Sequence, residues 1–231
     1  KKIRHKVDIS KYKKDRTLFI HFFIHLFIFL GLMSFVMLSS ELHWALYFLF
    51  IIVVGNSMLV MSFAAHEMSH GGGGLKKGWP LKTLIHLGWL GGVFTTGTNQ
   101  TVAHNRLHHI HTNKLNDPDR RVLQKEVSPY GKWASLFSFF VPSHHYPRMT
   151  CLYGFAFLIF SYHNNLFWQT LFNSKQIYDL RLSLGDKFKT SLEYFSNLLV
   201  YGLFWFMSGF SFKGLAFIGL SYFVVAWLSG F

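Results

Sequence analysis

The sequence predicts an all-α integral membrane protein: about four transmembrane helices, interfacial helices and a cytoplasmic metal-site region. Three observations predict it. Hydrophobic residues make up 51% of the 231 and aromatic residues 19%, gathered in long runs that exceed what a soluble domain needs. The 23 Lys and Arg fall almost wholly in two polar regions between and before those runs. Five of the 14 histidines fall in two boxes, with four-residue spacings that stack side chains on one helix face.

Residues 1–17 carry eight Lys and Arg and read as a juxtamembrane arm that orients the chain and meets anionic lipid. No signal peptide is evident. The chain opens on Lys1 rather than Met, so a truncated N-terminus is expected. Leu18 to Leu38 is the first span, about the 20 residues that a hydrocarbon core of roughly 30 Å requires. It contains His21 and His25, which read as histidines paired inside the bundle rather than as a third metal box. Ser39 to His43 is a short turn without Lys or Arg, and Trp44 to Ala65 is the second span, antiparallel to the first. The first box, His66-Glu67-Met68-Ser69-His70, ends that helix, and Gly71 to Gly74 release the chain from the helical path.

Leu81 to Phe94 is apolar but only 14 residues long, about 21 Å as a helix and short for a span. If the two boxes share a site, the chain between them must begin and end on one side, so this stretch reads as re-entrant or interfacial, with His86 structural. The second box follows as His104-Asn105-Arg106-Leu107-His108-His109. On an α-helix His104 and His108 lie about 40° apart and His109 about 100° further round. Residues 110–150, with four prolines, read as a loop region, and Cys151 to Phe172 as an amphipathic interfacial helix broken by His163-Asn164-Asn165. Ser191 to Met207 and Leu215 to Phe231 complete the spans, joined by a short loop with Lys213 alone.

This topology puts 22 of the 23 basic residues on one side. The positive-inside rule makes that side cytoplasmic, and with it the N-terminus and both boxes. The same reading accounts for the formal charge of +13 without a nucleic-acid partner, since aromatic-flanked basic patches are missing. Cys151 is the only cysteine, so an intrachain disulfide and a Cys-based metal site are excluded. Metal must be held by His, Asp or Glu. Neutral imidazole suits iron, zinc or copper. His66, His70, His104, His108 and His109 exceed the needs of one tetrahedral ion with an open position, which favours two. Asn105, Asp117 and Asp119 are candidates to hold the ligand rings by hydrogen bonds. Asp117 and Asp119 equally form a turn with Pro118. His111 is an extra ligand or a surface histidine, and Thr112-Asn113 serves to end the box-two helix. His66-Glu67-x-x-His70 also has the form of an intramembrane zinc metalloprotease motif, with Glu67 as general base, but that reading leaves the second box unexplained.

Together the boxes resemble those of the membrane fatty acid desaturases and their hydroxylase and ketolase relatives. That family carries HxxxH after its second span, HxxHH further along the same cytoplasmic region and a third (H/Q)xxHH box after its fourth span. His66 to His70 is similar to the first, and His104 to His109, with Thr112-Asn113 and Asp117-Pro118-Asp119 beyond it, to the second. The third box has no counterpart: Val141 stands where His144-His145 would need His or Gln, and residues 1–231 end at the fourth span. The resemblance therefore implies a single desaturase-like domain over 1–231, incomplete, inactive alone and missing part of its ligand set. It implies a site of two irons held by imidazole, with O2 as co-substrate. It also implies a fatty acyl substrate, and an external electron donor such as a ferredoxin or a b-type cytochrome. The expected reaction is O2-dependent desaturation. A di-iron lipid hydroxylase or carotenoid ketolase is the alternative on the same scaffold.

Overall fold

A computed structural model describes residues 16–91, 96–111 and 182–228. Among them every regular element is helical. We number six: α1 (Thr17–Leu38), α2 (Trp44–Ser69), α3 (Trp79–Gly88), α4 (residues 97–111), α5 (Leu184–Met207) and α6 (Phe212–Leu228). Short 3-10 turns at Gly72–Gly74 and Trp89–Gly91 join α2 to α3 and extend α3. The interfacial stretch expected over Cys151 to Phe172 lies outside the described residues, as does the loop region over 112–150.

Helix α2 is the axis of the bundle. It packs on α1, α3 and α6, while α5 leans on α1 and α4. Its buried residues include Ile51, Val54, Gly55, Met58, Met61, Ala65 and Met68, mostly three or four positions apart, which places them on one broad face. Phe22, Phe29 and Met33 of α1 and Phe217 of α6 are fully buried against that face. Unbranched thioethers fill the irregular gaps between the aromatic rings.

The outward faces are as apolar as the inward ones. Phe27 and Leu38 on α1 and Trp44 on α2 are each two-thirds exposed or more. A helix apolar all round belongs in a core or a bilayer. Helices α1 and α2 are each long and apolar enough to cross a membrane. Helices α5 and α6 do not pass the same measure. The first 10 residues of α5 include Asp186, Lys187, Lys189 and Glu193, and α6 spans 17 of the described residues.

The largest shift from the sequence-drawn boundaries is at α5 and has a local reason. Helix α5 starts at Leu184, two turns before the expected Ser191. Ser183 and Asp186 form a reciprocal capping box there: the Asp186 N–H donates to Ser183 Oγ at 3.1 Å and the Ser183 N–H to Asp186 Oδ2 at 3.3 Å. The glycine run after α2 turns the chain as its composition implies. Gly71, Gly73 and Gly74 have φ of 87°, 77° and 71°, in the left-handed region that side chains disfavour.

Two other glycines set the distance between helices. A Cβ on Gly55 would sit 2.6 Å from Val224 Cβ and 2.7 Å from Ser221 O of α6, and one on Gly88 would sit 2.5 Å from Ala65 Cβ of α2. Ser62 Oγ donates to Gly88 O at 3.2 Å, a contact that this close approach permits. Gly31 on α1 faces open space. Gly55→Ala is therefore expected to destabilise the protein by about 1–3 kcal/mol through overpacking. Gly31→Ala is expected to be neutral or to stabilise by up to about 1 kcal/mol through helix propensity. Unfolding of the two variants in detergent, followed by circular dichroism, checks the contrast; equal midpoints would contradict it.

Candidate metal centre

Box one sits at the C-terminal end of α2. His66 lies in its last turn and His70 is its C-cap residue, with the His70 N–H donating to Glu67 O at 3.1 Å. Ser69 Oγ donates to His66 O at 2.7 Å and ties off one of the helix's last carbonyls. Four-residue spacing stacks the two imidazoles, and their ring centroids are 4.7 Å apart.

Box two lies on α4, whose hydrogen bonding changes along its length. Gly97–Gln100 is an α-turn, Thr101–His108 is π-helical and His109–His111 is again α. The regular α-helix expected for this box is thus not what forms. The His109 N–H donates to His104 O, five residues back. In a π-turn positions five apart come to one side, whereas in an α-helix they diverge. His104 and His109 consequently have ring centroids 4.9 Å apart.

The two boxes meet. His66 Nε2 is 2.9 Å from His104 Nε2, and His70 Nε2 is 3.3 Å from His66 Nε2. His66, His70 and His104 each offer a ring nitrogen within 4.8 Å of the others. His109 joins the same group, with its ring 4.9 Å from that of His70. These separations are what shared ligation needs. With bonds of about 2.0–2.1 Å, two nitrogens on one ion stand roughly 3.0 Å apart at an octahedral corner and roughly 3.4 Å apart in a tetrahedron. Three neutral imidazoles so arranged can hold a metal ion.

The protonation state also suits ligation. Local desolvation, then the neighbouring imidazoles of His66, His104 and His109, hold His70 below the usual histidine value, while Glu67 acts in the opposite direction. His70 is therefore neutral at pH 7, the form that binds metal. Glu67 itself is exposed, and its Oε1 lies 3.2 Å from His66 Nδ1. Holding the proton on Nδ1 leaves the Nε2 lone pair free to face His104. This carboxylate stands behind a ligand ring, on the side away from the cluster, and a general base for metal-bound water must stand on the cluster side.

The other sequence candidates divide. Asn105 lies in the π-helical stretch, and its side-chain oxygen is buried and has no hydrogen-bond partner among the described residues. The backbone of His108 ends that stretch, and its side chain lies outside what is described, as do Asp117 and Asp119. His25 Nδ1 pairs with Ser57 Oγ at 3.1 Å, a contact between α1 and α2. His86 Nε2 pairs with Ser196 Oγ of α5 at 2.7 Å.

The sequence reading missed the polar residues that hold α4 from behind: Thr96 and Asn99 on its first turn, and Thr190, Glu193 and Tyr194 on α5. One signal pointed to them. Glu193 is the only charged residue between Ser191 and Met207. Comparison with protein-family models, with curated proteins and with solved structures found no match to this chain.

Two substitutions test the centre in the purified chain by Co2+ titration. His66→Ala removes the ring that touches both partners and is expected to abolish stoichiometric binding. Glu67→Gln is expected to weaken binding about tenfold, the low end for loss of a carboxylate behind a ligand histidine. Wild-type affinity in Glu67→Gln would show that the contact does not orient His66.

Proposed function

We propose that this chain holds the metal site of a membrane-bound di-iron lipid oxidase, and that the reaction is O2-dependent desaturation of a fatty acyl chain. The observation that carries the reading is the convergence of two separate histidine boxes: His66 and His70 at a helix end meet His104 and His109 of the second box. His66, His70 and His104 would hold one ion, and His108 and His109 would add nitrogens for a second. Two irons, reduced by an external carrier, would supply oxidising power that no side chain has. The balance is one –CH2–CH2– unit plus O2, two electrons and two protons, giving –CH=CH– and two waters.

The chain's own residues supply position and dryness. Four spans, α1, α2, α5 and α6, with α3 and α4 at the interface, would set the cluster at the membrane surface. The basic residues of 1–17 and 66–190 would mark that surface as cytoplasmic. An apolar acyl chain can reach such a site from the bilayer without crossing water, and the Phe-rich outward faces of α1 and α5 support that route. Electrons would arrive from the cytoplasm through a ferredoxin or a b-type cytochrome.

A lipid hydroxylase or carotenoid ketolase would use the same ligands and differ in product. The zinc protease reading has less support, because Glu67 bonds to the back nitrogen of His66. Metal analysis and product analysis test the proposal together. After expression of the whole reading frame in iron-replete cells, two irons per chain and an acyl alkene are expected. His109→Ala is expected to abolish the alkene and leave membrane insertion intact. Stoichiometric zinc without iron would sink the di-iron reading; a hydroxyl or keto product would replace desaturation with its relatives.

A further inference from the structure

We propose that Glu193 is a positioning residue for the metal centre: through Thr98 it sets the placement of α4, and so brings His104 to His66 and His70. The inference rests on those three histidines forming a metal centre and does not depend on the reaction performed there.

The argument starts from the charge. From Ser191 to Met207, α5 has one ionisable carboxylate in an apolar sequence. A half-buried carboxylate in such surroundings needs donors. Both of its oxygens find them on one residue. Glu193 Oε2 accepts from the Thr98 N–H at 2.9 Å, and Oε1 accepts from the Thr98 hydroxyl at 2.7 Å. Thr98 is the second residue of α4, so its N–H is one of the four that a helix start leaves without an internal acceptor. The next N–H, of Asn99, donates to the N-cap Thr96 Oγ1 at 3.2 Å. A negative charge at this end also opposes the helix dipole favourably.

Glu193 does not act by itself. Asn99 Nδ2 donates to Tyr194 OH at 2.9 Å, and Thr190 Oγ1 donates to Asn99 Oδ1 at 3.2 Å. Thr96, Asn99 and Thr190 are fully buried. Thr190, Glu193 and Tyr194 are three and four residues apart, one stripe of α5 facing the first turn of α4. That turn runs without a break into the π-helical stretch that carries His104, six residues beyond Thr98. A metal site tolerates errors of roughly 0.2 Å in its ligand distances. A shift of the anchored turn by a fraction of an ångström therefore reaches the ion through His104. Slipping α4 by one residue would turn His104 away by about 100°.

The test is Co2+ binding to the chain in detergent, read both as affinity and as the visible ligand-field spectrum. Helix content is followed by far-ultraviolet circular dichroism. Glu193→Gln keeps the length of the side chain but has one acceptor oxygen and no charge, so one Thr98 donor loses its acceptor. It is expected to keep wild-type helix content, bind Co2+ about tenfold more weakly and shift the spectrum, because the coordination geometry changes. Thr98→Ser keeps both donors and is expected to match wild type in affinity and spectrum. Thr98→Ala removes the hydroxyl alone and is expected to lose a smaller part of the affinity, with a shifted spectrum; it is the deciding variant if Glu193→Gln does not fold. Wild-type affinity and spectrum in the deciding variant would overturn the positioning role while leaving the metal centre standing. Absence of Co2+ binding by the wild-type chain would overturn the centre and this inference with it.

Discussion

Two imidazole nitrogens 2.9 Å apart, on His66 and His104, are 38 residues apart in sequence, and the rest of the described structure makes that meeting possible. In a neutral imidazole one ring nitrogen has the proton and the other a lone pair. Facing each other, the two Nε2 atoms need a proton or a cation between them. One shared proton serves a pair of rings, but His70 Nε2 also closes on His66 Nε2 at 3.3 Å and the His109 ring stands beside both His70 and His104. His66, His70 and His104 in this arrangement could hold a cation, with the His109 ring beside them. Desolvation, then the neighbouring imidazoles, lower the pKa of His70, so the ring joins the cluster neutral at pH 7 and its protonation at lower pH would oppose the arrangement.

Holding such a cluster requires rigidity on both sides of it. On one side, α2 carries His66 and ends with His70 at its cap. Its position is set by close contacts in which side chains are absent rather than present: Gly55 admits α6, and Gly88 admits α2 to α3. Close approach of backbones lets these helices pack without a gap between them. On the other side, Val102 is the one apolar side chain of α4 that is buried among those described. Polar contacts hold the helix, through Thr98 and Asn99, to a buried stripe of α5. The centre thus joins an element placed by packing to one placed by hydrogen bonds.

What was legible in the sequence follows from this division. Hydropathy and charge placed α1 and α2 to within a few residues, because composition decides those elements. The boxes were legible because a four-residue spacing on a helix has one geometric meaning. Hydropathy put the start of α5 too late: the Ser183 and Asp186 capping box, a short-range signal, outweighs the apolar window that begins at Ser191. The π-helical turn was not legible, since any argument from a 3.6-residue period assumes the bonding that this segment abandons. It separated His104 from His109, which the structure sets 4.9 Å apart. The role of Glu193 was hidden for another reason. Its partner Thr98 is 95 residues away, and neither residue belongs to a motif.

The π-turn and the carboxylate anchor bear on one problem. An HxxHH box on a regular helix spreads its histidines over more than a third of the circumference, and a single small cluster cannot use them all. Widening the helix over Thr101–His108 recovers His109 for the His104 side. Because π-type bonding is less favourable than α, a segment left free would relax to α and turn His109 away. Tying the first turn to Glu193 fixes one end of α4, and ligation of its histidines would fix the other. The π-helical stretch lies between those two fixed ends, where relaxation would break one of them. On this view the distorted helix is the consequence of two constraints that cannot both be met by an ideal one.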